Sequence, residues 1–344
     1  MSSDILKLSM ITGILRITVI LISMLLLSSC LEKEIYRWSD DWVTTMNNDG
    51  TSLKYIYRDA WQPYYVTDFT DNLNEKVVCL IDDGVVSMNP DGSAPVLIIP
   101  DIDHIYEVSW DRTMLLLGYD EDIYIARVDG TELLNITNTP NTAENYASFS
   151  ADASKVVYTQ IITKPQTQPL NALILYDIET GKGVSLFSER FSTGLSIMNK
   201  RMVNDLIFFE KAYTDGISKS GVYCYDLSNE SISMVYQGKT VSSLVSNYCD
   251  KLYFPDNDLH SIIELDIPSL NTTEIFHYTD EYYSQYPTLS LSPTGVDLLV
   301  TFKYNYILNL NTLDYCQLTG FRSSASFNRI GTKIICLYSR SFPE

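Results

Sequence analysis

The stretch Ile123-Tyr124-Ile125-Ala126-Arg127-Val128-Asp129-Gly130-Thr131-Glu132-Leu133-Leu134-Asn135-Ile136-Thr137-Asn138-Thr139-Pro140 runs directly into Asn141-Thr142-Ala143-Glu144-Asn145-Tyr146-Ala147-Ser148-Phe149-Ser150-Ala151-Asp152-Ala153-Ser154-Lys155-Val156-Val157-Tyr158. Its β-branched and aromatic residues fall in short runs, and Asp, Gly, Asn, Ser or Pro ends each one. No apolar period of three to four residues passes through it, so strands and tight turns are expected, not a helix. One turn is Asp-Gly-Thr; the other is built on Ser148-Phe149-Ser150-Ala151-Asp152.

Both turns recur along the chain. Thr45-Met46-Asn47-Asn48-Asp49-Gly50-Thr51 and Ser87-Met88-Asn89-Pro90-Asp91-Gly92-Ser93 match the Asp129 turn, and Asp49, Asp91 and Asp129 are 42 and 38 residues apart. A period near 40 marks four-stranded units repeated about an axis. The second turn returns at Ser290-Leu291-Ser292-Pro293-Thr294-Gly295 and Ser326-Phe327-Asn328-Arg329-Ile330-Gly331. It is shortened at Ser109-Trp110-Asp111-Arg112 and echoed at Ile197-Met198-Asn199 and Val245-Ser246-Asn247.

The order of a strand, an Asp-Gly-Thr turn, a Leu-Thr close, a Thr-Pro loop and a Ser-x-Ser-x-Asp strand resembles the TolB-like propeller family, over about 300 residues of the chain. That family's full Ser-Pro-Asp-Gly-Lys string is absent, and Ser292-Pro293-Thr294-Gly295 comes nearest. The resemblance implies a fold more than an activity. TolB itself carries an α/β domain before a six-bladed propeller; no second domain is expected here, where Cys30 stands only a few residues before the first strand.

Counting four-strand units places all-β blades near residues 62–99, 104–137, 145–188, 193–237, 241–276 and 285–318. Half-blades remain at 324–339 and 41–57. A seven-bladed β-propeller is therefore expected over residues 36–344, closed by pairing the N- and C-terminal hairpins in the last blade, in preference to six or eight blades. Such closure leaves only short, protected sheet edges.

Residues 1–29 read as a lipoprotein signal peptide. Lys7 and Arg16 precede the uncharged, largely apolar run Ile17–Leu27, whose 11 residues are too few for a membrane-spanning helix. Leu27-Ser28-Ser29-Cys30 resembles the bacterial lipobox, which makes Cys30 the expected site of lipidation and residues 30–35 a short tether. The implied location is the bacterial envelope, with outer membrane preferred and the domain facing the periplasm or the cell surface. Cys79, Cys224, Cys249, Cys316 and Cys336 remain, without a C-x-x-C pair, and are expected to be buried free thiols for the most part.

The chain has 24 Lys+Arg against 43 Asp+Glu, a net charge of −19, and such a surface repels nucleic acid. His104, His260 and His277 are the only histidines, none at metal-ligand spacing, and Gly216-Ile217-Ser218-Lys219-Ser220-Gly221 misses a nucleophile elbow by one position. No catalytic residue, metal ligand or cofactor is assigned. Binding residues are expected on the loops between blades, where acids and aromatics gather. These are Trp61, Tyr64 and Tyr65; Asp101, Asp103 and His104; Tyr146; and His277, Asp280, Glu281, Tyr282, Tyr283 and Tyr286. Aromatic rings beside carboxylates suit a protein partner, including a basic segment, or a neutral glycan. A non-enzymatic, lipid-anchored binding scaffold is the expected function. A lectin or lyase-type propeller is the alternative, against which stand the scattered histidines and the acidic surface.

Overall fold

The computed structural model describes residues 39–47, 49, 51–67, 75–139, 142–163, 169–190, 196–213, 220–238, 243–247, 249–278, 287–302, 305–318, 323–328 and 331–341. The leader, Cys30 and the tether lie outside them, as does Gly216–Lys219. Asp41–Tyr338 form one compact unit; of the other, Met1–Asp40 with Ser339–Glu344, only strand ends are described.

Seven four-stranded antiparallel sheets make up the described chain, and no helix occurs among the described residues. The protein is a seven-bladed β-propeller. Blade 1 runs from Trp61–Thr67 through Glu75–Ile81 and Gly84–Met88 to Val96–Pro100, and blade 2 from His104–Val108 through Met114–Tyr119 and Asp122–Arg127 to Leu134–Asn135. Blade 3 comprises Thr142–Phe149, Lys155–Ile162, Leu170–Asp177 and Lys182–Arg190; blade 4 comprises Ser196–Val203, Leu206–Ala212, Gly221–Asp226 and Ser231–Gln237. Blade 5 holds Val245–Ser246, Lys251–Asp256, Ser261–Asp266 and Asn271–His277, and blade 6 holds Thr288–Leu291, Asp297–Thr301, Asn305–Asn309 and Tyr315–Leu318. In the last sheet Ser323–Phe327 and Lys333–Ser341 are followed in order by Ser39–Asn47 and Lys54–Arg58, so strands from both ends of the chain share it.

Middle strands are apolar on consecutive residues because each blade is covered on both faces. In blade 1, Val78 and Leu80 pack with Leu115 and Leu117 of blade 2, while Val77 and Cys79 pack with Val43 and Ile335 of blade 7. The period of two is intact; both of its phases are buried. The pattern continues around the ring, with Leu116 against Phe149, Val157 against Phe209, Phe208 against Leu252, Tyr253 against Leu298, and Leu299 against Phe327. Each neighbouring pair of blades thus has its own core.

The two sequence motifs are structural devices. Asp49, Asp91 and Asp129 accept the backbone N–H of Thr51, Ser93 and Thr131, each at 2.9 Å. Gly92 and Gly130 follow with φ of +84°, and a Cβ there would lie 2.3 Å and 2.4 Å from the carbonyl oxygens of Ile56 and Ile98, on the outer strand of the preceding blade. In the second motif Ser150 Oγ donates to Asp152 at 2.7 Å and accepts the N–H of Lys155 at 3.0 Å, stapling the inner hairpin.

Three of the remaining cysteines, Cys79, Cys224 and Cys336, are buried and free. Cys249 and Cys316 are exposed, contrary to burial: Cys249 lies in the turn between Val245–Ser246 and Lys251–Asp256, and Cys316 is on the outer strand of blade 6.

Candidate functional site

Every blade sends its first strand to the axis, where the seven enclose a cavity of about 460 Å³. Equivalent positions on these strands can be read from their partners on the second strand. Tyr64 faces Val78, Glu107 faces Leu116, Ser148 faces Val157 and Arg201 faces Phe208. Val245 faces Tyr253, Ser290 faces Leu299 and Ser326 faces Ile335. All seven line the cavity and form a belt around it. The first serine of the Ser-x-Ser motif is the belt position; the second is the turn.

Blades 1, 2, 4 and 5 depart from serine, and the two charged departures meet. Glu107 pairs with Nη1 of Arg201, their side chains 12% and 19% exposed, and the pair reaches past blade 3. Ser148 between them donates its hydroxyl to Glu107 Oε2 at 2.9 Å and accepts from Arg201 Nη1 at 2.6 Å, while the N–H of Phe149 donates to the same carboxylate at 2.8 Å. Burial, with Glu107 adding and Arg201 opposing, pushes the Tyr64 phenol up to about 12, so it stays protonated beside the pair.

Bulges re-aim residues on these inner strands. The register shifts between Trp61 and Tyr64, Ile105 and Glu107, Asn145 and Ser148, and Met198 and Lys200. Gln62 and Tyr146, inside two of the bulges, take φ of +49° and +53°. Gln62 then bridges to blade 2: its Oε1 accepts the N–H of Ile105 at 2.8 Å and its Nε2 lies 3.0 Å from Nδ1 of His104. Because the carbonyl end is fixed by Ile105, the amide must donate to His104, leaving that ring's proton on Nε2. Burial lowers the His104 pKa and favours this neutral form.

The rim continues through His104, whose ring meets Tyr106 edge-on at 4.7 Å, and Tyr106, whose hydroxyl approaches the carbonyl of Glu144 at 3.5 Å. Burial first, then Tyr146 and Glu144, push the Tyr106 phenol up to about 12. Lys200 closes the series: its Nζ donates to the carbonyl of Tyr146 at 2.9 Å and lies 5.3 Å from the centre of that ring. Burial drives the Lys200 pKa well below its ordinary value, with Glu210 opposing.

Of the residues expected from sequence, Tyr64, His104 and Tyr146 line the cavity, on strands where loops were expected. Trp61 and Tyr65 belong to the same strand as Tyr64, but their side chains lie outside the described part. Asp101 and Asp103 are exposed in the link between blades 1 and 2, away from the cavity lining. His277 ends the outer strand of blade 5, 3.2 Å from Ser261 Oγ, and is likewise outside the lining. Asp280, Glu281, Tyr282, Tyr283 and Tyr286 lie outside the described residues. Gln62, Glu107, Lys200 and Arg201 were not anticipated; for Glu107 and Arg201 a charge at the place of a repeated serine was the available signal.

No family model matches the chain, and no curated protein matches it. Among solved structures, the oligogalacturonate lyase of Vibrio parahaemolyticus aligns over 89% of this chain and 99% of its own, at 12% identity and a TM-score of 0.63. The likeness is one of fold. An oligogalacturonate lyase in complex with manganese aligns over 78% of this chain and 86% of its own, at 12% identity and a TM-score of 0.57. TolB-like propellers are also among the neighbours: a putative TolB from Agrobacterium tumefaciens aligns over 89% of this chain and 99% of its own, at 11% identity and a TM-score of 0.48. Manganese needs several oxygen or imidazole donors together. Among the described residues there is no group of three or more His, Cys, Asp or Glu that could hold a metal ion.

Proposed function

We propose that the chain is a non-enzymatic binding propeller of the bacterial envelope, anchored by a lipid on Cys30, which holds a protein partner at the mouth of its central channel. The observation that carries this reading is the single rim formed by Gln62, His104, Tyr106, Tyr146 and Lys200 from four successive blades. Tyr146 supports it most directly. Its ring is 43% exposed while its backbone holds a left-handed conformation that costs a bulky residue about 1–3 kcal/mol. Tyrosine offers a flat apolar face and a polar tip, the combination favoured at protein interfaces.

The test is affinity capture from detergent-solubilised membranes with wild type, Tyr146→Ala and Tyr119→Ala, the last an exposed tyrosine outside the cavity lining. A protein retained by wild type and Tyr119→Ala but lost from Tyr146→Ala is the expected outcome. Equal retention by all three, or capture of a glycan alone, would contradict the proposal. Labelling with palmitate, lost in Cys30→Ala, checks the anchor separately.

A further inference from the structure

The chain enters the propeller on the face where the channel mouth opens. Because every sheet is antiparallel, the first strand of a blade runs from one face to the other, the second returns, and the third and fourth repeat the excursion. Links from blade to blade therefore lie on one face, together with the turns between second and third strands. Turns between first and second strands, and between third and fourth, lie on the opposite face. Gln62 and His104 are the second and first residues of their strands, which puts the rim on the linking face. Arg58 ends the last strand of blade 7, four residues before Gln62, and is paired in register with Trp42. Its guanidinium carbon lies 5.9 Å from the centre of the Trp42 ring. Trp42 stands near the start of Ser39–Asn47, a strand antiparallel to the one that Arg58 ends, so Ser39–Asn47 also sets out from the linking face.

Chain length then decides which way the mouth points. Ser39 follows Cys30 by nine residues. Nine residues reach about 30 Å when fully extended and roughly 15–18 Å on average when flexible. The outer strand of blade 3, Lys182–Arg190, also has nine residues, so at about 3.4 Å per residue that blade is roughly 30 Å deep. Turning the opposite face to the bilayer would stretch the tether to its limit, and such ordering costs conformational entropy at every residue. We infer that the mouth faces the membrane that holds the lipid, and that the partner it takes is a protein of that same membrane. This rests on the proposed lipid on Cys30 and the proposed site at the mouth, and it adds the side from which the partner comes.

Energy transfer from a dye on the protein to rhodamine-labelled lipid tests the orientation, with the full lipidated chain in vesicles of phosphatidylcholine and phosphatidylethanolamine. One dye site is the native Cys249, in the turn between first and second strands of blade 5 and hence on the opposite face, with Cys316→Ser. The other is Asp103→Cys, exposed in the link before His104, with Cys249→Ser and Cys316→Ser. The donor at position 103 should be quenched more than the donor at position 249. About 24 Gly/Ser residues inserted after Ile35 should abolish the difference by letting the tether run round the blade. Equal quenching, stronger quenching at 249, or a difference that survives the insertion overturns the inference while the anchor stands. Failure of the unmutated chain to join vesicles, the behaviour expected of Cys30→Ala, overturns the anchor and this inference together. The partner captured through Tyr146 should sediment with membranes from cells lacking this chain; its recovery in the soluble fraction overturns its assignment to the membrane. Quenching as predicted with no partner lost in Tyr146→Ala would instead defeat the proposed site and leave the orientation standing.

Discussion

The hydroxyl of Thr44 lies 3.2 Å from the carbonyl oxygen of Cys336 and 3.0 Å from its sulfur, between residues 292 positions apart in the chain. Both side chains are fully buried, and the strands that carry them are neighbours in blade 7. Deleting residues 322–344 removes both C-terminal strands of that blade, and with them Phe327, Ile334, Ile335 and Cys336 from two interblade cores. A circular arrangement has no spare end, so global unfolding is expected in place of a trimmed tail. Thermal denaturation should show loss of the cooperative transition; an unchanged melting curve would contradict this role for the two strands.

Thiol chemistry should divide the cysteines by depth. Burial pushes Cys79, Cys224 and Cys336 each up to about 12, whereas Cys249 and Cys316 are exposed. Thiolate is the reactive form, so alkylation of native protein at pH 8 should mark Cys249 and Cys316 and reach the other three only after denaturation. Peptide mass spectrometry reads the pattern directly.

Glycine substitutions separate backbone conformation from packing. Gly130→Ala places a methyl against the Ile98 carbonyl and holds Ala at positive φ, with an expected cost of about 2–4 kcal/mol. Gly181, at φ +66°, has only the Tyr176 hydroxyl at 3.7 Å, so Gly181→Ala should cost about 1 kcal/mol. Urea denaturation of the two variants measures the difference.

How much of this was legible in the residues varies with how locally each feature is encoded. Turns bonded within five residues, such as Asp129 to Thr131 and Ser150 to Lys155, leave a fixed string in every copy, and the blade limits follow from them. The site is not local. Glu107, Ser148 and Arg201 belong to three successive blades, and only the packing of those blades around the axis brings them together. Tyr64 and Tyr146 were assigned to loops because bulged strands interrupt the expected alternation of apolar and polar residues. A comparison of repeat copies holds the missing clue: Ser148, Ser290 and Ser326 share one position, at which blades 2 and 4 carry Glu107 and Arg201.

Acid should loosen the turns before it touches the cores. Asp152 is lowered to about 2 by hydrogen bonds from Ser150 and Ser154, and Asp111, Asp177 and Asp226 are lowered by similar bonds. An unfolded Asp titrates near 3.9, so the folded state binds fewer protons than the unfolded state between the two values. The stability these groups contribute is complete above pH of about 4 and is lost as pH falls toward about 2. Denaturant midpoints should stay level for this contribution from pH 6 to about 4.5 and decline below it; Asp152→Asn should lower the midpoint at neutral pH and flatten the decline.

Photo-crosslinking in intact cells tests the central claim, that partners are held at the channel mouth, with p-benzoylphenylalanine introduced by substitution of Tyr146 or of Tyr119. Both tyrosines are partly exposed, and only Tyr146 lines the channel. A discrete protein adduct from position 146 and none from position 119 is the predicted result. Adducts of equal yield from both positions, or from 119 alone, would contradict it.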